Sequence, residues 1–124
     1  MKYMVLRVDG NVEYADGTFE DVESIVSACE KIGFGNMGYS TILDNLDSSI
    51  ELLYADGILR DDIDLKINPL TAHFSTVKYM DCCIAKFDFD SNMTDMSEED
   101  IEFVKGLLNK KSIENQKDAM DNSI

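Results

Sequence analysis

The densest run of apolar positions in this chain lies at Val77–Phe89, V-K-Y-M-D-C-C-I-A-K-F-D-F. From Met80 to Ala85 a single acid stands among five apolar residues, with Phe87 and Phe89 just beyond. The run is too short for a free-standing helix and shows no alternation. Such a run predicts a strand covered on both faces, in the middle of a sheet. Cys82 and Cys83 are neighbours in it, so their side chains should point to opposite faces.

Two other segments carry helical spacing. Phe19, Val22, Ile25, Val26, Cys29 and Ile32 fall on one stripe, while Glu20, Glu23, Ser24, Ser27, Glu30 and Lys31 face away. Thr18 is placed to cap this helix, Glu20 and Asp21 suit its positive end, and Gly33 stops it. The second helix spans Glu98–Lys110, with Ile101, Val104, Leu107 and Leu108 as its apolar face. Ser97 and Asp100 resemble a capping box at its start, with Asp in the usual place of Glu or Gln.

Strand patterns fill the rest. Lys2–Val8 and Val12–Ala15 predict a hairpin through Asp9-Gly10-Asn11, because Gly and Asn tolerate positive φ. Tyr39–Leu46 fits a strand better than a short helix. Ile50–Tyr54 is a clearer strand, with Ala55-Asp56-Gly57 as its turn. Y-A-D-G thus occurs twice, at Tyr14–Gly17 and Tyr54–Gly57, and both copies predict strand ends. Ile58–Ile67 reads as an edge strand or a loop. Asn68-Pro69 reads as an N-cap with proline in the first helical position, opening a short helix over Leu70–Phe74. Asp90–Met96 reads as a polar loop. The expected fold class is α+β: a mostly antiparallel sheet of about five strands with two main helices packed on it. It forms a single domain over 1–111, followed by a polar tail over 112–124 expected to be frayed or disordered.

Charge changes the picture most. The 124 residues hold 25 acids and 11 Lys or Arg, for a net charge of −14. Solubility of a small domain needs only about 2–8 charges of one sign. The excess costs self-repulsion and disfavours contact with nucleic-acid phosphates or an anionic membrane. The acids are also unevenly spread. Between residues 8 and 59 stand Asp9, Glu13, Asp16, Glu20, Asp21, Glu23, Glu30, Asp44, Asp47, Glu51 and Asp56, against one base, Lys31. A face of carboxylates can copy a row of phosphates and occupy a basic nucleic-acid groove. The residues expected to bind such a partner are Asp9, Glu13, Asp16, Glu20, Glu23, Glu30, Asp44 and Asp47. Plain solubility is the competing explanation.

Motifs for chemistry are sparse. Gly33–Gly38 spells G-x-G-x-x-G, but a helix precedes it where the dinucleotide fingerprint requires a strand. Asp88, Asp90, Asn92, Thr94, Met96 and Glu99 match a calcium-loop spacing, yet the turn glycine is replaced by Met93 and Met96 offers no side-chain oxygen. His73 is the lone histidine, and the three cysteines lack zinc spacing. No nucleophile elbow, phosphate loop or metalloprotease motif is present. No enzymatic activity, metal or cofactor is therefore expected. A carboxylate site of unfamiliar layout is the remaining enzymatic alternative. The cysteines read as small core residues in a reducing compartment. With no signal peptide and no apolar run near the ~20 residues of a membrane span, the expected location is the cytoplasm.

The order of D-G-T-F-E-D-V-E-S-I-V, G-Y-S-T-I-L, I-E-L-L-Y-A-D-G-I-L, N-P-L-T-A-H-F and S-E-E-D-I-E-F-V-K resembles the small domains of unknown function carried by phages, plasmids and conjugative elements. The resemblance covers residues 2–110 and carries no catalytic residues. It implies the setting of a mobile-element accessory protein, which favours inhibitors of host defence such as anti-CRISPR and anti-restriction factors. The sequence-level expectation is thus a non-enzymatic acidic inhibitor that binds the basic surface of a host nucleic-acid-handling protein, without touching nucleic acid or membrane. The alternatives are a small-ligand-binding or sequestering protein that uses the Gly33–Gly38 loop and nearby tyrosines, or a structural oligomer subunit.

Overall fold

Cys82–Asp88 forms the central strand, β7, of the sheet in the computed structural model, which describes residues 1–27, 34–58, 66–74 and 78–109. The predicted hairpin is present as β1 (Lys2–Leu6) and β2 (Val12–Asp16), with Gly10 at φ +91° in its turn. Phe34–Asp44 is β3 and Ser48–Ile58 is β4. The strands run in the order β2-β1-β7-β4-β3, all antiparallel, and a short sixth strand, β8 (Met93–Thr94), pairs with the end of β7. A separate two-stranded ribbon joins β5 (Ile67–Asn68) to β6 (Lys78–Tyr79). Helix α1 covers Phe19–Ser27 and a second helix, α2, covers 98–109. The fold is α+β, as the sequence predicts.

Each helix takes one face of the sheet. On the first face Val22 and Val26 of α1 pack with Tyr3, Val5, Leu53 and Cys83. On the other, Val104 of α2 packs with Met4, Leu6, Leu52 and Ile84. Coverage from both sides is why Cys82–Ala85 reads as an unbroken apolar run: all four are fully buried, alternating between the two cores. Burial pushes the Cys83 thiol up to about 12, so it stays protonated and unreactive at neutral pH. We expect Cys82 and Cys83 to be alkylated at least about a hundredfold more slowly in the native protein than in urea. Site-resolved mass spectrometry separates them from Cys29, which lies outside the described residues. Equal rates would mean that β7 is open to solvent.

Both helix starts follow their local sequence. The Asp21 carboxylate accepts from the Thr18 backbone N–H at 2.8 Å. At α2 the box is reciprocal: the Ser97 N–H donates to Asp100 Oδ2 at 2.8 Å and the Asp100 N–H donates to Ser97 Oγ at 3.1 Å.

Five readings of the sequence are corrected. The central strand starts at Cys82, not before, because Met80 turns the chain at φ +64°. The second Y-A-D-G does not end a strand: Tyr54, Ala55 and Asp56 pair with Gly38, Met37 and Asn36 inside the β3–β4 ladder. Ladder pairing and burial of Ala55 beneath α1 outweigh the local turn chemistry. For the same reason Gly35–Gly38 is strand, not a connecting loop. Gly38 is needed there because a Cβ would stand 2.5 Å from the Tyr54 ring across the ladder. Asn68 is not a helix cap with proline behind it. It sits in β5, and the 3-10 turn that follows is Thr71–His73. Finally, Asp90–Met96 is not a uniformly polar loop, because Met93 and Met96 are buried in the two cores. Residues 28–33, 59–65, 75–77 and the tail beyond 109 lie outside the described residues, and with them the predicted end of α1 at Gly33.

Candidate functional site

The strand registers set the two ends of the sheet apart. Ser48 of β4 lies opposite Asp88 of β7, so the β3–β4 turn and the β7–β8 turn emerge side by side at one end. The β1–β2 turn lies at the other, where Leu6 pairs with both Val12 and Cys82.

The predicted partner-binding acids divide accordingly. Asp9 and Glu13 are at the β1–β2 turn end and are already engaged. The Asp9 carboxylate accepts from the Asn11 backbone and side chain, both at 2.9 Å. Glu13 pairs with the Arg7 guanidinium at 2.6 Å, and Arg7 also reaches Asp81 at 3.0 Å. The hydrogen bond to Glu13, with the one to Asp81, holds Arg7 above its ordinary pKa despite partial burial. Asp16 stands at the opposite end, 2.6 Å from the terminal ammonium, whose hydrogen bond and charge hold its carboxyl below the ordinary value. Glu20 and Glu23 are exposed on the outer side of α1, and Asp44 and Asp47 flank the β3–β4 turn, also exposed. Glu30 lies outside the described residues. The structure therefore gathers Asp44 and Asp47 at one end with Asp88 and Asp90, places Glu20 and Glu23 on the helix that begins beside them, and separates Asp9 and Glu13 from the group.

Two apolar side chains that the sequence reading placed at strand ends stand exposed at these turns, and a third, Tyr39, is exposed farther along β3. Leu46 is 95% exposed at the β3–β4 turn, Phe89 84% exposed at the β7–β8 turn, and Tyr39 70% exposed on β3. Leu46 stands between Asn45 and Asp47, and Phe89 between Asp88 and Asp90. An apolar residue set among turn-forming polar ones has no core within reach, and that local pattern is the signal that could have found them.

Between α1 and the β3–β4 ribbon opens a groove of about 260 Å³. Phe19, Met37, Leu53 and Phe87 give it an apolar lining, and Tyr39 and Glu51 line it from the ribbon. Phe19 and Phe87 meet edge to face with centroids 5.9 Å apart. Ser49, Asp88 and Ser91 complete the lining, so the groove carries two carboxylates and no base. Both Glu51 carboxylate oxygens accept from Thr41 Oγ1, at 2.9 and 3.0 Å.

The described bases are mostly engaged elsewhere. Arg7 holds Glu13 and Asp81, Lys86 holds Asp100 at 2.9 Å, Lys105 holds Glu102 at 3.4 Å, and the Lys78 ammonium lies 3.9 Å from the centre of the Tyr54 ring. None of these lines the groove.

The motifs weighed for chemistry fold into structural roles. In the calcium-like spacing, Asp88 Oδ1 accepts from the backbone N–H groups of Asp90 and Asn92, both at 2.9 Å, and closes a hairpin turn. Met93 and Met96, at two of its positions, are core residues. Among the described residues no group of three or more His, Cys, Asp or Glu side chains is placed to share a metal ion. His73 ends the 3-10 turn and lies edge-on to Phe74. The glycine-rich stretch, where described, is β3, so it presents no loop ahead of a helix N-terminus for a phosphate. Among the described residues no helix is long and apolar enough to cross a membrane. Comparisons with protein-family models, with curated proteins and with solved structures find no match to this chain.

Proposed function

We propose that this chain is a non-enzymatic binding protein that docks its acidic, apolar-tipped sheet end and the neighbouring α1 surface onto a basic, nucleic-acid-handling protein. The observation that carries the reading is the placement of Leu46 and Phe89, both strongly exposed, at adjoining turns among Asp44, Asp47, Asp88 and Asp90, with Tyr39 exposed farther along β3 on the groove. Interface cores favour exposed aromatic and apolar anchors, while a ring of one charge steers encounter and selects a partner of opposite sign. Solubility accounts for the acids, and Leu46 and Phe89 at adjoining turns set apolar anchors among them. The resemblance of the sequence to mobile-element domains supplies the setting. In it, the partner is a host defence nuclease or nucleoprotein whose phosphate-binding groove the carboxylates occupy, as in anti-CRISPR or anti-restriction inhibition in the cytoplasm.

The test is affinity capture from host extract, eluted by a salt ladder. A single basic nuclease or nucleoprotein released at moderate salt is the expected result. The double variants Glu20→Lys/Glu23→Lys and Asp44→Lys/Asp47→Lys should each weaken that capture at least about tenfold while keeping the wild-type melting temperature. Phe89→Ser should do the same through loss of an anchor. Capture unchanged by all three variants would overturn the reading.

A further inference from the structure

Resting on the reading that the partner is basic, we propose that the groove between α1 and the β3–β4 ribbon receives one arginine side chain of that partner. Its volume of about 260 Å³ is below the ~300–1,000 Å³ of most metabolite pockets, yet ample for one long side chain. The lining is graded in polarity along such a chain. Phe19, Met37, Leu53 and Phe87 offer an apolar floor to methylenes. Tyr39 lines the groove and is 70% exposed, and an aromatic ring so placed can stack a cation.

Glu51 supplies the charge. It lies within β4, between Ile50 and Leu52, which are both fully buried, so its backbone is fixed. Thr41 on the paired strand donates to its carboxylate and orients it, and among the described residues no cation contacts it. Ser49 and Ser91 add hydroxyl acceptors and Asp88 adds a second carboxylate to the lining. An aromatic face next to an oriented carboxylate over an apolar floor favours guanidinium over ammonium. The planar fork stacks, binds carboxylate through two N–H groups and is weakly hydrated, whereas the compact ammonium gives up more hydration to enter.

The experiment titrates the isotopically labelled full chain with acetyl-Gly-Arg-Gly-amide and follows backbone amide shifts by NMR. Shifts should cluster at Met37–Thr41, Ser49–Leu53 and Phe87–Ser91. Acetyl-Gly-Lys-Gly-amide should bind at least about threefold more weakly, and the Gly-Gln-Gly peptide should leave the spectrum unchanged. Glu51→Gln and Tyr39→Ala should each weaken the arginine peptide at least about fivefold. If Glu51→Gln perturbs the fold, Tyr39→Ala, whose ring is mostly solvent-exposed, carries the test alone. Shifts spread evenly over the acidic surface, or binding indifferent to both variants, would overturn the groove assignment. Failure here with capture of the basic protein intact would leave the acidic surface as the partner site without the groove. Arginine binding in the groove with no basic protein captured would instead remove the premise about the partner.

Discussion

Replacing Asn68 with leucine should cost the fold about 4 kcal/mol, a large part of the ~5–15 kcal/mol that holds a domain together. Asn68 is fully buried, and all of its side-chain polar atoms are used. Its Nδ2 donates to the carbonyls of Leu6 at 2.8 Å and Met80 at 2.9 Å, and its Oδ1 accepts from the Leu70 N–H at 3.1 Å. The amide thereby ties the end of β1 to the turn that leads into β7. Its own carbonyl accepts from Thr71 Oγ1, which in turn accepts from the Lys78 N–H. Leucine fills nearly the same volume but removes both donations to these carbonyls and the acceptor of the Leu70 N–H, each loss costing about 1–3 kcal/mol where it is shielded from water. Aspartate separates donation from acceptance. It can still accept from Leu70, but it sets a carboxylate against two carbonyls, so Asn68→Asp should be as damaging at neutral pH. Urea denaturation reads both as a lower midpoint with unchanged slope. A loss below about 1 kcal/mol for Asn68→Leu would show that the amide is not a clamp.

That residue also marks where sequence reading ends. Asn68-Pro69 carries a legible local signal, and the Asn68 side chain does accept from Leu70 two residues on, as turn-forming asparagines do. What the local pattern lacks is its other partner, Leu6, 62 residues away. The same divide runs through the fold. Cys82–Ala85 was legible as a doubly covered strand because composition alone demands burial on both sides. The helix starts at Thr18 and Ser97 were legible because caps act within three or four residues. The second Y-A-D-G and the glycine stretch of β3 were misread because each borrows turn vocabulary. Their conformation is decided by cross-strand neighbours: the Tyr54 ring lies where a side chain at position 38 would be.

The candidate site was legible in charge and illegible in place. The sequence names Glu20, Glu23, Asp44 and Asp47 as acids without nearby bases. Only the strand register shows that Asp44 and Asp47 stand beside Asp88 and Asp90, and that Glu13 is taken by Arg7. Leu46 and Phe89 were read as the last apolar residues of strands, and each stands instead in the turn beyond the strand's end, because β3 stops at Asp44 and β7 at Asp88.

Asp100 joins a local signal to a distant one, and Asp100→Ala should cost about 3 kcal/mol. Its carboxylate accepts from the Ser97 N–H to cap α2 and from Lys86 Nζ on β7 at 2.9 Å. The pair is largely shielded, with side-chain exposures of 24% for Lys86 and 15% for Asp100. Alanine keeps the Ser97 cap but removes the return bond of the box, worth about 1 kcal/mol, and strands a shielded ammonium, worth about 2 kcal/mol more. Burial alone would raise the Asp100 pKa, but the hydrogen bonds from Ser97 and Lys86 outweigh it and hold the carboxyl below its ordinary value. Its stabilising contribution is therefore complete above the ordinary aspartate pKa of about 4 and is lost as pH falls through the lower folded value. The stability gap between wild type and Asp100→Ala should be constant from pH 8 to 5 and narrow in acid below pH ~4. Asp100→Asn retains an acceptor for Ser97 and should recover the return bond but not the ion pair. Combining it with Lys86→Met, which removes the stranded charge and keeps the apolar stem, should restore most of the remaining loss. Chemical denaturation across pH with these four proteins measures all three effects. A gap that does not narrow in acid, or a double variant no more stable than Asp100→Asn, would mean that α2 is held to the sheet by Val104 and its apolar neighbours alone.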